Sequence, residues 1–169
     1  MIETIRGRVW KLGDNIDTDV IYPGKYLPLL DPSEMAAHAL EGLDPEFPKK
    51  IVRGDILVAG SNFGCGSSRE QAATCLKTAG VTCIIAKSFA RIFFRNAVNL
   101  GLPVVECREA ADAVETGDTV AVDFKSGTVQ IRDRTLSFPP LPDHILSILE
   151  NGGLIESIKK KIAEGTKPL

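Results

Sequence analysis

Two apolar runs, Asp55 to Ala59 and Val81 to Ala86, flank a glycine-rich segment and a helical pattern within about thirty residues. Strand, helix, strand over so short a span closes as a right-handed crossover between parallel neighbours. That unit puts the intervening loop at the carboxyl edge of the strands, where ligands bind in open α/β sheets. The loop, Gly60 to Arg69, reads Gly-Ser-Asn-Phe-Gly-Cys-Gly-Ser-Ser-Arg. Its glycines allow close backbone approach, and free N–H groups at the following helix start favour negative charge. The composition therefore predicts an anion site. Arg69, in the first helical turn, adds a fork suited to carboxylate or phosphate. A cation there opposes the helix dipole by about 0.3 to 1 kcal/mol, a cost that a bound anion offsets.

Other functions are narrowed by composition. With 169 residues, 44% of them hydrophobic, one domain over residues 1–169 is expected. A net charge of -2 with scattered lysines and arginines gives no field for nucleic acid. No apolar run approaches a membrane span, and Met1 to Trp10 carries Glu3, Arg6 and Arg8 rather than a signal-peptide core. A cytoplasmic protein is expected. Cys65, Cys75, Cys83 and Cys107 are ten, eight and 24 positions apart, which fits no zinc, redox or iron–sulfur spacing. Cys75 and Cys83 read as buried thiols; Cys65, inside the loop, reads equally as a packing residue or a reactive thiol.

Thr4 to Leu12 reads as a strand ending in Gly13-Asp14-Asn15. Asp17-Thr18-Asp19, before Val20-Ile21-Tyr22-Pro23, reads either as an Asx turn entering a short edge strand or as a carboxylate facing a site. Gly24 to Asp31 is an apolar loop. Asp31, Pro32 and Glu34 signal a capped helix continuing to Gly42, with His38 on its surface or at an interface. Pro45 to Gly54 is a lysine-bearing connection. Helices follow at Gln71 to Thr78, ended by Gly80, and at Ser88 to Ala97, where Phe89, Ile92 and Phe93 share a core face. Arg91 and Arg95 share another face, solvated or against a partner. Leu102 to Cys107 is a third strand, Thr119 to Phe124 and Thr128 to Ile131 begin a β-meander, and Asp143 to Glu150 and Leu154 to Ala163 are helices.

The loop lacks the lysine of a P-loop, and Arg69 stands where a dinucleotide fingerprint needs its third glycine. Four stretches instead carry a family likeness: Asp17-Thr18-Asp19-Val20-Ile21 with Pro23-Gly24 and Tyr26-Leu27; Gly60 to Glu70; Lys87 to Phe93; and Asn99-Leu100-Gly101-Leu102-Pro103. Over nearly its whole length the chain resembles the swivelling domain of the aconitase superfamily, in particular 3-isopropylmalate dehydratase small subunits and their homoaconitase-type relatives. The resemblance implies an α/β, aconitase swivelling-domain-like fold, three-layer β/β/α, with a central βαβ unit and a β-meander. It implies a hydro-lyase active only with a cluster-bearing large subunit, isomerising 2- and 3-isopropylmalate in leucine biosynthesis. No cofactor is then bound by this chain; a 4Fe-4S cluster sits on the partner, and no metal ligand is expected here. The implied assembly is a hetero-oligomer acting on a small dicarboxylate, without nucleic acid or membrane; self-association of the isolated chain stays open.

The resemblance also assigns roles. Ser67 is implied as the base and Asp19 as a further catalytic residue, with Arg69 gripping a substrate carboxylate beside Ser68 and Gly66. Taken alone, the residues leave two capping boxes open, Ser67 with Glu70 or Ser68 with Gln71; Ser68 as cap would release Ser67 for chemistry. Substrate choice turns on Tyr26 to Leu30. Homoaconitase-type small subunits resemble Tyr-Leu-Arg here, whereas this chain has Pro28, Leu29 and Leu30. An unpaired carboxylate is costly to bury against leucines, while an isopropyl group gains about 1 to 2 kcal/mol. Isopropylmalate is favoured; homoaconitate, citramalate or 2,3-dimethylmalate chemistry, or a non-catalytic anion-binding module, are the alternatives. A flavodoxin-like nucleotide domain rests on the βαβ unit alone.

Overall fold

The computed structural model describes residues 2–165. The crossover is present: β2 (Ile56–Ala59) and β3 (Cys83–Ala86) pair in parallel across α4 (Glu70–Ala79), with Ile56 opposite Cys83 and Ala59 opposite Ala86. Every residue of both strands is buried, as strands covered on two faces require. β1 (Ile5–Lys11) lies parallel to β2, and β4 (Val104–Glu106) parallel to β3. β5 (Thr119–Asp123), β6 (Thr128–Ile131) and β7 (Arg134–Ser137) form the antiparallel meander. Together they make a seven-stranded sheet in the order β4-β3-β2-β1-β5-β6-β7.

β1 joins the halves by dividing its length. Val9 to Lys11 pair with β2, while Ile5 to Arg8 pair with β5. The sheet curls there, so the meander covers one face of the parallel strands. Val9, Ile56, Val58, Cys83 and Ile85 share an apolar cluster with Val120, Val122, Val129 and Ile131. The alternate residues, Leu57, Ala59, Ile84 and Ala86, pack with Ala72, Ala73, Cys75 and Leu76 of α4 and with Phe93 of α5 (Arg91–Asn99). Helices, parallel strands and meander thus stack as three layers, as the resemblance implied.

Several expectations fail for identifiable reasons. The segment after Ile16 is a helical turn, α1 (Thr18–Ile21), rather than an edge strand, because Asp17 caps it by accepting from the Val20 N–H at 2.8 Å. α2 (Pro32–Ala36) starts as expected, with Asp31 accepting from the Ser33 N–H, but stops well before Gly42. Its continuation leaves the helix to bond α1: the Leu40 N–H reaches the Ile21 carbonyl and the Gly42 N–H the Val20 carbonyl. Ile92 is 51% exposed, not in the core, because α5 begins only at Arg91 and Phe89 precedes it in extended chain. Short helices α3 (Phe47–Lys50) and α6 (Arg108–Ala113), and strand β7, lie where no periodic pattern predicts them. α7 (Asp143–Glu150) and α8 (Leu154–Ala163) match expectation, and among the described residues no helix is long and apolar enough to cross a membrane.

One buried charge registers β1 against β2. Asp55 is 3% exposed; its Oδ2 accepts from Arg8 Nη2 at 2.8 Å, Trp10 Nε1 at 2.8 Å and the Val52 N–H at 2.9 Å. Burial pushes its carboxyl up, but the bonds from Arg8, Val52 and Trp10 outweigh burial and hold it below the usual carboxylate range. A depressed folded-state value means that its stabilisation is present at neutral pH and lost as pH falls through that value. Asp55→Asn should therefore lower stability by about 2 kcal/mol near pH 7 in urea unfolding. The gap from wild type should shrink below about pH 4; a gap constant through the acid transition would contradict the pairing.

Candidate functional site

The loop between β2 and α4 is held from both sides. Toward the end of β1, the Gly60 N–H bonds Gly13, the Asn15 N–H bonds Ser61, the Gly64 N–H bonds Ile16 and the Thr18 N–H bonds Cys65, all at 2.8 to 3.0 Å. Toward the end of β3, Phe63 bridges Phe89, with its N–H on the Ser88 carbonyl. The Phe63 ring, fully buried, meets Phe93 edge-on at 5.1 Å and anchors the loop in the core. Gly64 must be glycine: its φ is +80°, and a Cβ there would stand 2.2 Å from Phe93 Cγ. With the first half of the loop fixed, Gly66, Ser67 and Ser68 are left outside and exposed.

The start of α4 differs from both capping schemes read in the sequence. Arg69 is the N-cap residue, in extended backbone, and no side chain caps the helix. Ser68 is therefore not the cap, and neither is Ser67: its carbonyl accepts the Arg69 N–H at 2.9 Å, and its hydroxyl makes no bond to the helix start. Among the described residues, the N–H groups of Gly66, Ser67 and Ser68 have no acceptor within the chain. An uncapped helix of ten residues preceded by free amides has the donors that an anion site of the expected kind would need.

Arg69 folds back rather than projecting. Nη1 donates to Asp19 Oδ1 at 2.7 Å and to the Tyr22 carbonyl at 3.1 Å, leaving the side chain 20% exposed. Asp19 Oδ1 also accepts the Gly24 N–H at 2.9 Å. The bond from Arg69, then that from Gly24, holds the Asp19 carboxyl below its usual range. A Cβ on Gly24 would crowd Arg69 Nη2 at 3.2 Å and Asp19 Oδ1 at 3.4 Å. Both bonds use Nη1, so Nη2 and Nε keep a second edge for a carboxylate.

Ser67, Gly66, Arg69 and Asp19 are thus brought together, with Thr18 among them. Thr18 is 2% exposed, and its Oγ1 lies 3.3 Å from Ser67 Oγ. The sequence gives Thr18 a place in the family stretch but no role of its own, and the cap at Asp17 is the signal that marks its place in a helical turn. Pro28, Leu29 and Leu30 lie on the adjoining loop, where the Leu27 N–H bonds Gly24 and the Leu29 N–H bonds Tyr26. Leu29 packs against the core, whereas Pro28 is exposed and Leu30 is 87% exposed.

The site lies on open surface. A groove of about 800 Å³ lies at the amino ends of the parallel strands, near Gly80, Val81 and Leu102, and another of about 430 Å³ lies between α5 and α7. Ser67 lines neither. Cys75, Cys83 and Cys107 are buried, their thiols pushed up by desolvation, and Cys65 is half-buried in the loop. Among the described residues no three or more His, Cys, Asp or Glu side chains gather into a metal-binding group. The donor set present does not fit an iron–sulfur cluster.

The chain is similar to known proteins over nearly its whole length. The Aconitase C-terminal domain family matches residues 31–110. A 3-isopropylmalate dehydratase small subunit of Methanopyrus kandleri is 54% identical over 163 residues, 95% of this chain and 96% of the relative. An isopropylmalate/citramalate isomerase small subunit of Methanocaldococcus jannaschii is 49% identical over 97% of this chain and 99% of the relative. A crystal structure of 3-isopropylmalate dehydratase from Methanocaldococcus jannaschii superposes with a TM-score of 0.92 at 44% identity, covering 96% of this chain and 98% of that one.

The Asp19–Arg69 pair makes a direct prediction. Followed by NMR, the Asp19 carboxyl should titrate below the ordinary value of about 3.9. Arg69→Gln should return it most of the way, the Gly24 N–H retaining the remainder. An Asp19 titration indifferent to Arg69→Gln would contradict the pairing.

Proposed function

The chain belongs to the 3-isopropylmalate dehydratase small-subunit family, and from that premise we propose that it is the small subunit of a hydro-lyase interconverting 2- and 3-isopropylmalate. The observation that carries the reading is the exposed Ser67, set between three free amides and the open edge of Arg69. One substrate carboxylate takes Nη2 and Nε of Arg69 as a bidentate pair, with Asp19 holding the guanidinium from behind. Ser67 Oγ, as alkoxide, takes the proton from the carbon next to the hydroxyl-bearing carbon. The C–H electrons form the double bond as the C–O bond breaks, so proton and hydroxide leave as water; readdition with the two positions exchanged gives the isomer. A serine alkoxide needs stabilisation built in beforehand, and the free amides, the amino end of α4 and the Thr18 hydroxyl supply it. A 4Fe-4S cluster on the large subunit would supply the Lewis acid for the departing hydroxyl.

The open surface fits this division of labour, since half of the active site is to be supplied by the partner. In this reading residues 1–169 act as one aconitase-type swivelling domain in the cytoplasm, and Ser68 and Gly66 contribute backbone donors to the substrate. Pro28, Leu29 and Leu30 offer no cation to a third carboxylate, which favours an apolar substituent on the malate. The isomerase relative whose name pairs isopropylmalate with citramalate has 49% identity, and it supports a range of malates with short apolar groups.

Co-expression with the cluster-bearing large subunit tests the proposal. The assembled wild type should isomerise isopropylmalate and prefer it to homoaconitate in competition. Ser67→Ala should lower kcat by about 10²- to 10⁴-fold with assembly intact, and Arg69→Gln should raise KM at least about tenfold. Undiminished activity in Ser67→Ala would remove Ser67 as the base, and preference for the tricarboxylate would overturn the reading of Pro28 and Leu29.

A further inference from the structure

Tyr26 opens the loop that meets the substrate's variable group in the reading above, and its side chain is tied more tightly than an exposed loop requires. The phenol donates to Glu41 Oε1 at 2.5 Å. The other carboxylate oxygen, Oε2, lies 2.5 Å from Nδ1 of His38. The imidazole then stacks on the phenol, with centroids 3.5 Å apart and planes inclined by 14°. Three side chains close a ring in which each touches the other two. Tyr26 is held from its backbone as well: its carbonyl accepts from the hydroxyl of the fully buried Tyr22 at 2.6 Å, and Lys25 Nζ sits 5.0 Å over its ring.

The early end of α2 is what brings this cluster together. An α2 continued to Gly42 would keep residues 38 and 41 on its own surface. Because the Leu40 and Gly42 N–H groups instead bond α1, the segment turns and presents His38 and Glu41 to Tyr26. Half-buried at 27% and 22% side-chain exposure, they are sheltered enough for their hydrogen bonds to hold a loop and exposed enough to cost little desolvation. Burial pushes the Glu41 carboxyl up, and the bonds from Tyr26 and His38 more than reverse it.

The loop hangs on this anchor at one end and on Asp19 at the other. The Leu29 N–H bonds the Tyr26 carbonyl, which keeps Leu29 against the core and Pro28 and Leu30 outward. The preceding turn begins at Gly24, whose N–H bonds the same Asp19 oxygen that holds Arg69. The register of the loop and the orientation of the carboxylate clamp are therefore coupled across a span of five positions, from Asp19 to Gly24.

We propose that Tyr26, Glu41 and His38 are positioning residues for substrate discrimination. They hold Pro28 to Leu30 at a fixed offset from Arg69, so that the group on the malate is measured against apolar side chains while its constant carboxylate is clamped. The proposal rests on the dehydratase reading, and two measurements separate the failure of one from the failure of the other. The first compares kcat/KM for isopropylmalate and citramalate in the assembled enzyme, with Tyr26→Phe, which removes one hydroxyl, and Glu41→Gln, which keeps shape and an acceptor. Tyr26→Phe should change the ratio of the two values at least about fivefold, mainly through KM for isopropylmalate, with kcat within about twofold. Glu41→Gln should fall between it and wild type. The second is hydrogen exchange of the bonded Leu27 and Leu29 amides in the isolated chain, which Tyr26→Phe should accelerate about tenfold or more.

A ratio unchanged while both kcat/KM values fall together would assign the cluster a general structural role and overturn the proposal. So would unchanged exchange in an active enzyme. A wild-type assembly inactive toward both substrates would count against the dehydratase reading and remove the discrimination role with it, even where exchange responds to Tyr26→Phe.

Discussion

A guanidinium at the amino end of a helix is placed against the helix dipole, and the candidate site depends on how that conflict is resolved. Asp19 meets Arg69 Nη1 at 2.7 Å while the Gly24 N–H meets the same carboxylate oxygen. The cation is partly neutralised on one edge and oriented by the Tyr22 carbonyl, so its other edge can serve a ligand without the helix bearing an uncompensated charge. Because Asp19 is largely exposed, the pair is screened by solvent and contributes more to orientation than to stability. Remove Asp19 and Arg69 loses direction before it loses charge.

The same pairing ties together segments that the sequence keeps far apart. Asp19 and Arg69 are 50 positions apart, and Thr18 and Ser67 are 49. They meet because β1 and β2 are parallel neighbours, so the chain leaving each emerges on one edge of the sheet. Backbone bonds then draw residues 13 to 18 alongside the loop. The catalytic role proposed for Ser67 rests on the family likeness, and what this arrangement leaves unsatisfied supports it: an uncapped helix, free amides and a hydroxyl whose neighbour is another hydroxyl.

What the sequence made legible was local. The apolar runs of β2 and β3, the helical period of α4 and the glycine at position 80 belong to one short stretch and fix the crossover. The expectation of an anion site rests on the same stretch, and the family likeness supplied the layers and the proposal for Ser67. What stayed hidden depends on bonds between distant segments. α2 ends early because Leu40 and Gly42 find acceptors on α1, and the N-cap of α4 is neither serine because Arg69 is pulled back by Asp19. His38 has its carboxylate partner three positions on, at Glu41, and Tyr26 completes that pair from across a loop.

If Ser67 is the base, proton transfer can be read separately from loss of hydroxide. The most direct measurement is deuterium incorporation from heavy water into isopropylmalate by the assembled enzyme, compared between wild type and Ser67→Ala under conditions where both bind substrate. Deuterium should enter at the carbon next to the hydroxyl-bearing carbon in wild type and fail to enter in the variant. Incorporation by Ser67→Ala at the wild-type rate would contradict the assignment of Ser67 and, with it, the chemical role of the loop.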